Sequence, residues 1–171
     1  MSAFTICGTI IHAPVCGELE IKPNALVEID DSGQISAVHD ANSSSYDACK
    51  KAALDAEGLI ELEDSQYLLP GMVDLHIHAP QFPQMGSALN LPLYDWLQQC
   101  TFPLEAKYAD LDFAEKVYSS LVETLIANGT TTALYFATVH LESSKLLADI
   151  CHKQGQRGLV GKVAMDNPDE C

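Results

Sequence analysis

The chain has 171 residues, 47% of them hydrophobic and 19% charged, the proportions of a globular protein long enough to bury a core. Nine Lys and Arg against 24 Asp and Glu give a formal charge of −15, which argues against nucleic acid or anionic membrane as a partner and favours a small-molecule substrate. No apolar run approaches the roughly 20 residues of a membrane span, residues 1–15 lack the pattern of a secretory leader, and the six cysteines are scattered without a C-x-x-C pair, so a cytosolic chain with reduced thiols is expected.

Taken in order, residues 4–12, 18–22, 25–30 and 34–39 are rich in β-branched side chains and broken by turns, which predicts four short strands. Asp30-Asp31-Ser32-Gly33 is the hairpin signal between the last two. Four short strands are too few to close a covered sandwich by themselves. A weak helical pattern follows around 46–56, and strand-like alternation returns over 59–69.

The stretch 68–78, Leu-Leu-Pro-Gly-Met-Val-Asp-Leu-His-Ile-His, reads as a strand after a Pro-Gly turn. Alternation puts Asp74, His76 and His78 on one face and Val73, Leu75 and Ile77 on the other, which is expected to pack. Two imidazoles about 6–7 Å apart along a strand converge on one metal ion if the strand bends or ends there. A pair of satisfied core histidines, or a surface pair on an edge strand, is the plainer alternative.

A segment of roughly 33 residues separates His78 from the next long helix; its Leu, Trp and Phe content argues for a folded pocket wall rather than disorder. Pro92 opens a short helix in it, to about Cys100. Residues 112–128 carry Ala114, Val117, Tyr118, Leu121, Val122, Leu125 and Ile126 at the helical period. Asp112 with Glu115 resembles a capping box, and Asn128-Gly129 a stop. A strand at 130–138, a helix at 143–153 and a strand at 158–165 complete a parallel βαβαβ series. Ligand sites of such series lie at the carboxyl ends of the strands, where His76, His78, His140 and Asp166 fall. His140 reads better as a structural hydrogen-bonder, and Lys162 as a buried, paired lysine within the last strand.

Pro70 to His78, followed by Ala79-Pro80-Gln81-Phe82-Pro83-Gln84, resembles the first barrel strand of the amidohydrolase superfamily. Segments 91–97, 102–105, 128–132, 135–140, 155–157 and 160–166 narrow that resemblance to its guanine-deaminating members. The resemblance implies an α/β fold: part of a small β-sandwich over 1–67, then the first three strands of a (β/α)8 barrel over 68–171. It further implies one zinc ion and hydrolysis of guanine to xanthine and ammonia. By position, His76 and His78 are the first two zinc ligands and Gln81 hydrogen-bonds the purine. Phe82 and Trp96 are pocket walls, with core packing as the equal alternative.

The family's other two ligands, its catalytic Glu and a purine-binding Arg lie beyond Cys171, so no catalytic residue is assigned here. The chain is expected to be an N-terminal portion, inactive and aggregation-prone alone, and a homo-oligomer when complete. Two imidazoles suit several divalent metals, so zinc rests on the resemblance. Other aminohydrolases of the superfamily, or a non-catalytic fragment that binds metal or a full-length subunit, remain alternatives. The His-x-Glu and Pro-Cys-x-x-Cys motifs of the other zinc nucleobase deaminases are absent.

Overall fold

Two strands of 12 residues, β1 (Phe4–Val15) and β2 (Glu18–Ile29), form a long antiparallel hairpin at the start of the structure, a computed structural model that describes residues 2–166. The expected break at residues 23–24 is a bulge inside β2. One residue of β1, Thr9, separates the pairs Gly8↔Ala25 and Ile10↔Lys22, against two of β2, Pro23 and Asn24. Pro23 cannot donate to the ladder and Asn24 takes φ 51, so the sequence that resembles a turn between strands is absorbed as an extra residue within one.

β3 (Ile35–His39) pairs antiparallel with β2 across the expected turn, where Asp30 Oδ1 accepts hydrogen bonds from the backbone N–H of Ser32 and Gln34. After α1 (Tyr46–Asp55), the stretch at 59–69 forms two short strands, β4 (Leu59–Glu61) and β5 (Tyr67–Leu68), both parallel to β1. The sheet runs β3-β2-β1-β4, with β5 also on β1. Ile10, Ala25 and Val27 bury its small core.

The chain divides by contacts into Met1–Pro70 and Gly71–Cys171. In the second unit β6 (Met72–His78), β7 (Thr130–Phe136) and β8 (Arg157–Gly161) make a parallel sheet in that order. Gly71 enters β6 so close to Thr131 that a Cβ there would lie 1.9 Å from Oγ1. The linking helices, α4 (Leu111–Ala127) and α5 (Leu141–Gln154), bury Tyr118, Leu121, Val122, Leu147 and Ile150 in one core with Tyr135 of β7. Each of three fully buried tyrosines has a partner for its hydroxyl: Tyr108 donates to Pro80 O (2.9 Å), Tyr135 to Gln156 Oε1 (2.5 Å), and Ser143 donates to Tyr118 (3.4 Å).

Several expectations are corrected. The cap of α4 is Asp110, whose Oδ1 accepts from the N–H of Asp112 and Phe113, not a box made by Asp112. The 79–110 segment is largely helical rather than loop: the short helix expected after Pro92 is there as α2 (Leu93–Trp96), and it runs on through Leu97–Thr101 into α3 (Phe102–Glu105). β8 ends at Gly161, so Lys162 is exposed and donates to Val163 O rather than sitting buried and paired in a strand. Val73 and Leu75 are exposed, because β6 is an edge of the three-stranded sheet.

Candidate metal and substrate site

β6 does not alternate strictly. Asp74 pairs with Ala133 and Ile77 with Tyr135, so two residues, Leu75 and His76, stand opposite only Leu134. This bulge turns the strand where the imidazoles emerge, as bulges do beside many sites. His76 Nε2 and His78 Nε2 approach to 3.1 Å. Two nitrogens on one zinc at about 2.0–2.1 Å, tetrahedrally disposed, stand about 3.3 Å apart, so the pair fits a shared ion.

Two neighbours, Asp74 and Phe136, hold this geometry. Asp74 Oδ1 accepts the backbone N–H of His76 at 3.0 Å. The Phe136 ring, at the end of β7, lies 4.7 Å from the His76 ring and stacks on His78 at 5.0 Å between centroids. Partial burial, and secondarily the adjacent His76, hold the His78 imidazole below the usual histidine range, which keeps its lone pair available.

Gln81 follows in the helical turn Ala79–Gln84. Its amide nitrogen lies 3.4 Å from His78 Nδ1 and donates to Glu105 Oε1 at 3.3 Å, leaving the amide oxygen as an open acceptor. Ligation through Nε2 leaves the His78 proton on Nδ1, for which the matching partner is an amide oxygen; a turned-over Gln81 amide supplies it in exchange for the hydrogen bond from its nitrogen to Glu105 and for the open oxygen. Burial pushes the Glu105 carboxyl above its ordinary range, partly offset by the Gln81 hydrogen bond.

His76, His78, Gln81, Phe82 and Trp96 line one open groove of about 400 Å³ that reaches Leu121 and Leu125 of α4. Phe82 also packs on the core, and Trp96 Nε1 donates to Ser87 O at 3.3 Å, so each is at once wall and packing. The remaining strand-end residues lie elsewhere. His140 stands at the N-cap position of α5 without a side-chain capping bond and contacts Thr138 Oγ1 through Nδ1 at 3.0 Å, beside a separate small cavity, and Asp166 is exposed. Glu105 and Phe136 were not foreseen as site residues. An acid in an apolar run, Phe102-Pro103-Leu104-Glu105, was the one signal available for the first.

Residues 67–171 match the family described as the amidohydrolase family. The chain belongs to that family. Across 95% of its length it is 43% identical to the guanine deaminase of Dictyostelium discoideum and 43% identical to that of Homo sapiens. A solved structure of guanine deaminase from C. acetobutylicum, with guanine bound in its active site, superposes on 98% of the chain with a TM-score of 0.81 and 32% identity. This amidohydrolase chain spans 38% of the Dictyostelium relative, 36% of the human one and 38% of the solved structure. The matched fold is of the mixed α/β type that the sequence implied.

Proposed function

We propose that the chain supplies two metal ligands and a substrate-reading amide to a zinc-dependent guanine deaminase, and has no such activity by itself. The observation that carries this reading is the 3.1 Å convergence of His76 and His78 with Gln81 on the next turn. The similarity to guanine deaminases supports the substrate. In this proposal residues 68–171 are the first part of a (β/α)8 barrel and 1–67 part of a β-sandwich. The exposed apolar side chains Leu19, Ile21 and Ile35 on the first sheet support a further layer there.

When bound, a zinc ion supplies Lewis acidity and lowers the pKa of a water to about 7. His76 and His78 hold it through Nε2. Gln81, with both donor and acceptor groups, orients the mixed hydrogen-bonding edge of guanine. Phe82 and Trp96 wall the purine and exclude water. Hydrolysis replaces the exocyclic amine by oxygen and releases xanthine and ammonia. The proposed setting is cytoplasmic, with a small purine as partner and neither nucleic acid nor membrane; the acidic charge supports this, and among the described residues no helix is long and apolar enough to cross a membrane. A homo-oligomer is proposed for the complete protein.

The test is a chimera in which this chain replaces the corresponding part of the Dictyostelium relative. Guanine-dependent ammonia release is expected from the chimera and not from the 171-residue chain alone. His76→Ala is expected to abolish it, and Gln81→Ala to raise KM about tenfold, the loss of roughly 1.4 kcal/mol of binding. A folded chimera that leaves guanine untouched, or whose activity survives His76→Ala, overturns the assignment.

A further inference from the structure

The N-terminal unit holds a second group of metal-type donors, which shares no residue with the His76–His78 pair. His39, at the end of β3, stands opposite Leu26, while Glu28 stands opposite Ala37. The two side chains are therefore diagonal neighbours on one face of the sheet. On that face Cys7, which also pairs with Leu26, meets the hydroxyl of Tyr46 from α1 at 3.5 Å. The same helix brings in Cys49. One carboxylate oxygen of Glu28, one ring nitrogen of His39 and the sulfur of Cys49 all lie within 4.8 Å of one another. Donors around a tetrahedral zinc stand about 3.5 Å apart, so closure needs side-chain torsion rather than backbone movement.

His39 is arranged as a ligand is. Its Nδ1 lies 2.9 Å from Ser45 Oγ, an acceptor for the ring N–H, which leaves the lone pair on Nε2. Metal-bound histidines typically anchor the second ring nitrogen in this way. Nε2 is shut off from solvent with no hydrogen-bond partner among the described residues, and its 3.5 Å approach to Glu28 Oε1 does not close one. A simple Glu–His ion pair therefore leaves the buried nitrogen unexplained. A cation between the three groups accounts for it.

Cys49 completes the donor set. Burial pushes its thiol up, and the neighbouring Glu28 carboxylate, as its hydrogen-bond partner, adds to the shift. Without a cation the sulfur keeps its proton; as a sulfur–metal bond forms, that proton leaves to solvent and the thiolate takes its place. Nitrogen, sulfur and oxygen together suit a borderline ion of the zinc or cobalt type rather than magnesium or calcium. We propose that Glu28, His39 and Cys49 bind one divalent ion of the zinc class, with water in the fourth position, fastening α1 to the β2–β3 hairpin.

Cobalt(II) is the probe, added to the thiol-reduced 171-residue chain. A thiolate-to-cobalt charge-transfer absorption in the near ultraviolet is expected to saturate at one equivalent. It is expected to persist in the His76→Ala/His78→Ala double variant, since that pair has no sulfur, and to vanish in Cys49→Ser. His39→Gln is expected to weaken the affinity at least about tenfold, no less than loss of an outer partner typically does. A second measurement needs no variant: zinc is expected to slow iodoacetamide alkylation of Cys49 at least about tenfold relative to exposed Cys16, read by peptide mass spectrometry. Absence of the absorption, its survival in Cys49→Ser, or equal alkylation rates with and without zinc overturns the proposal.

Discussion

Gln156 is 5% exposed; its side chain accepts from the Tyr135 hydroxyl and, at 3.7 Å, from Cys151 Sγ, and donates to Thr130 O at 2.9 Å. Truncation to Ala strands a buried phenol and a backbone carbonyl, so Gln156→Ala is expected to cost roughly 2–3 kcal/mol in urea unfolding. Tyr135→Phe in the same background is expected to recover part of that loss by removing the stranded hydroxyl; strictly additive losses would show that the pair is not coupled. Glu105 gives a pH signature. Its folded pKa is raised by burial, so between its unfolded pKa of about 4.3 and the folded value the native state binds more protons and stability falls as pH rises. Glu105→Gln keeps an acceptor for Gln81 and removes the carboxylate. Its melting temperature relative to the parent is expected to rise between pH 4 and pH 7; a relative melting temperature that falls over that range would contradict the burial argument. The partners of Gln156 and Glu105 are not legible in the sequence, because what distinguishes these two residues is who lies opposite after folding.

At the N-terminus of α4, the Asp110 carboxylate serves two backbone N–H groups. Asp110→Ala is therefore expected to cost about 1 kcal/mol of stability, and Asp112→Ala clearly less, in paired thermal melts. The apolar period at 114–126 made this helix readable, but the cap was misplaced because Asp110 and Asp112 both offer the right side chain and only the backbone turn chooses. The same contrast recurs along the chain. His76-x-His78 was legible because strand alternation is local, whereas the bulge at Leu75–His76 that brings the two nitrogens together depends on pairing with β7. Pro23-Asn24 signalled a break since proline normally ends a strand, and only the partner strand β1 shows that the ladder resumes beyond it. Lys162 looked interior because the apolar run continues past it, while the hydrogen-bonded strand stops at Gly161.

For the molecule as a whole, the large apolar side chains left in water bear most directly on the barrel proposal. On β6, Val73 is 60% and Leu75 64% exposed, although both belong to the side of the strand expected to pack. An unpaired strand edge with such side chains is an association hazard. In a (β/α)8 barrel these positions are enclosed, so one substitution has opposite consequences in two contexts. In the 171-residue chain Leu75→Lys replaces a solvent-exposed apolar group. It is expected to change unfolding stability by no more than about 0.5 kcal/mol and to reduce both dye binding and sedimenting aggregate. In the chimera described above, the same lysine buries an unpaired charge and is expected to lower guanine deamination at least about tenfold through loss of folded protein. Sedimentation of the chain and ammonia release by the chimera read the two arms separately. A lysine tolerated in both contexts would mean that this side of β6 stays in water in the complete protein, and the barrel assignment for residues 68–171 would fail on that result.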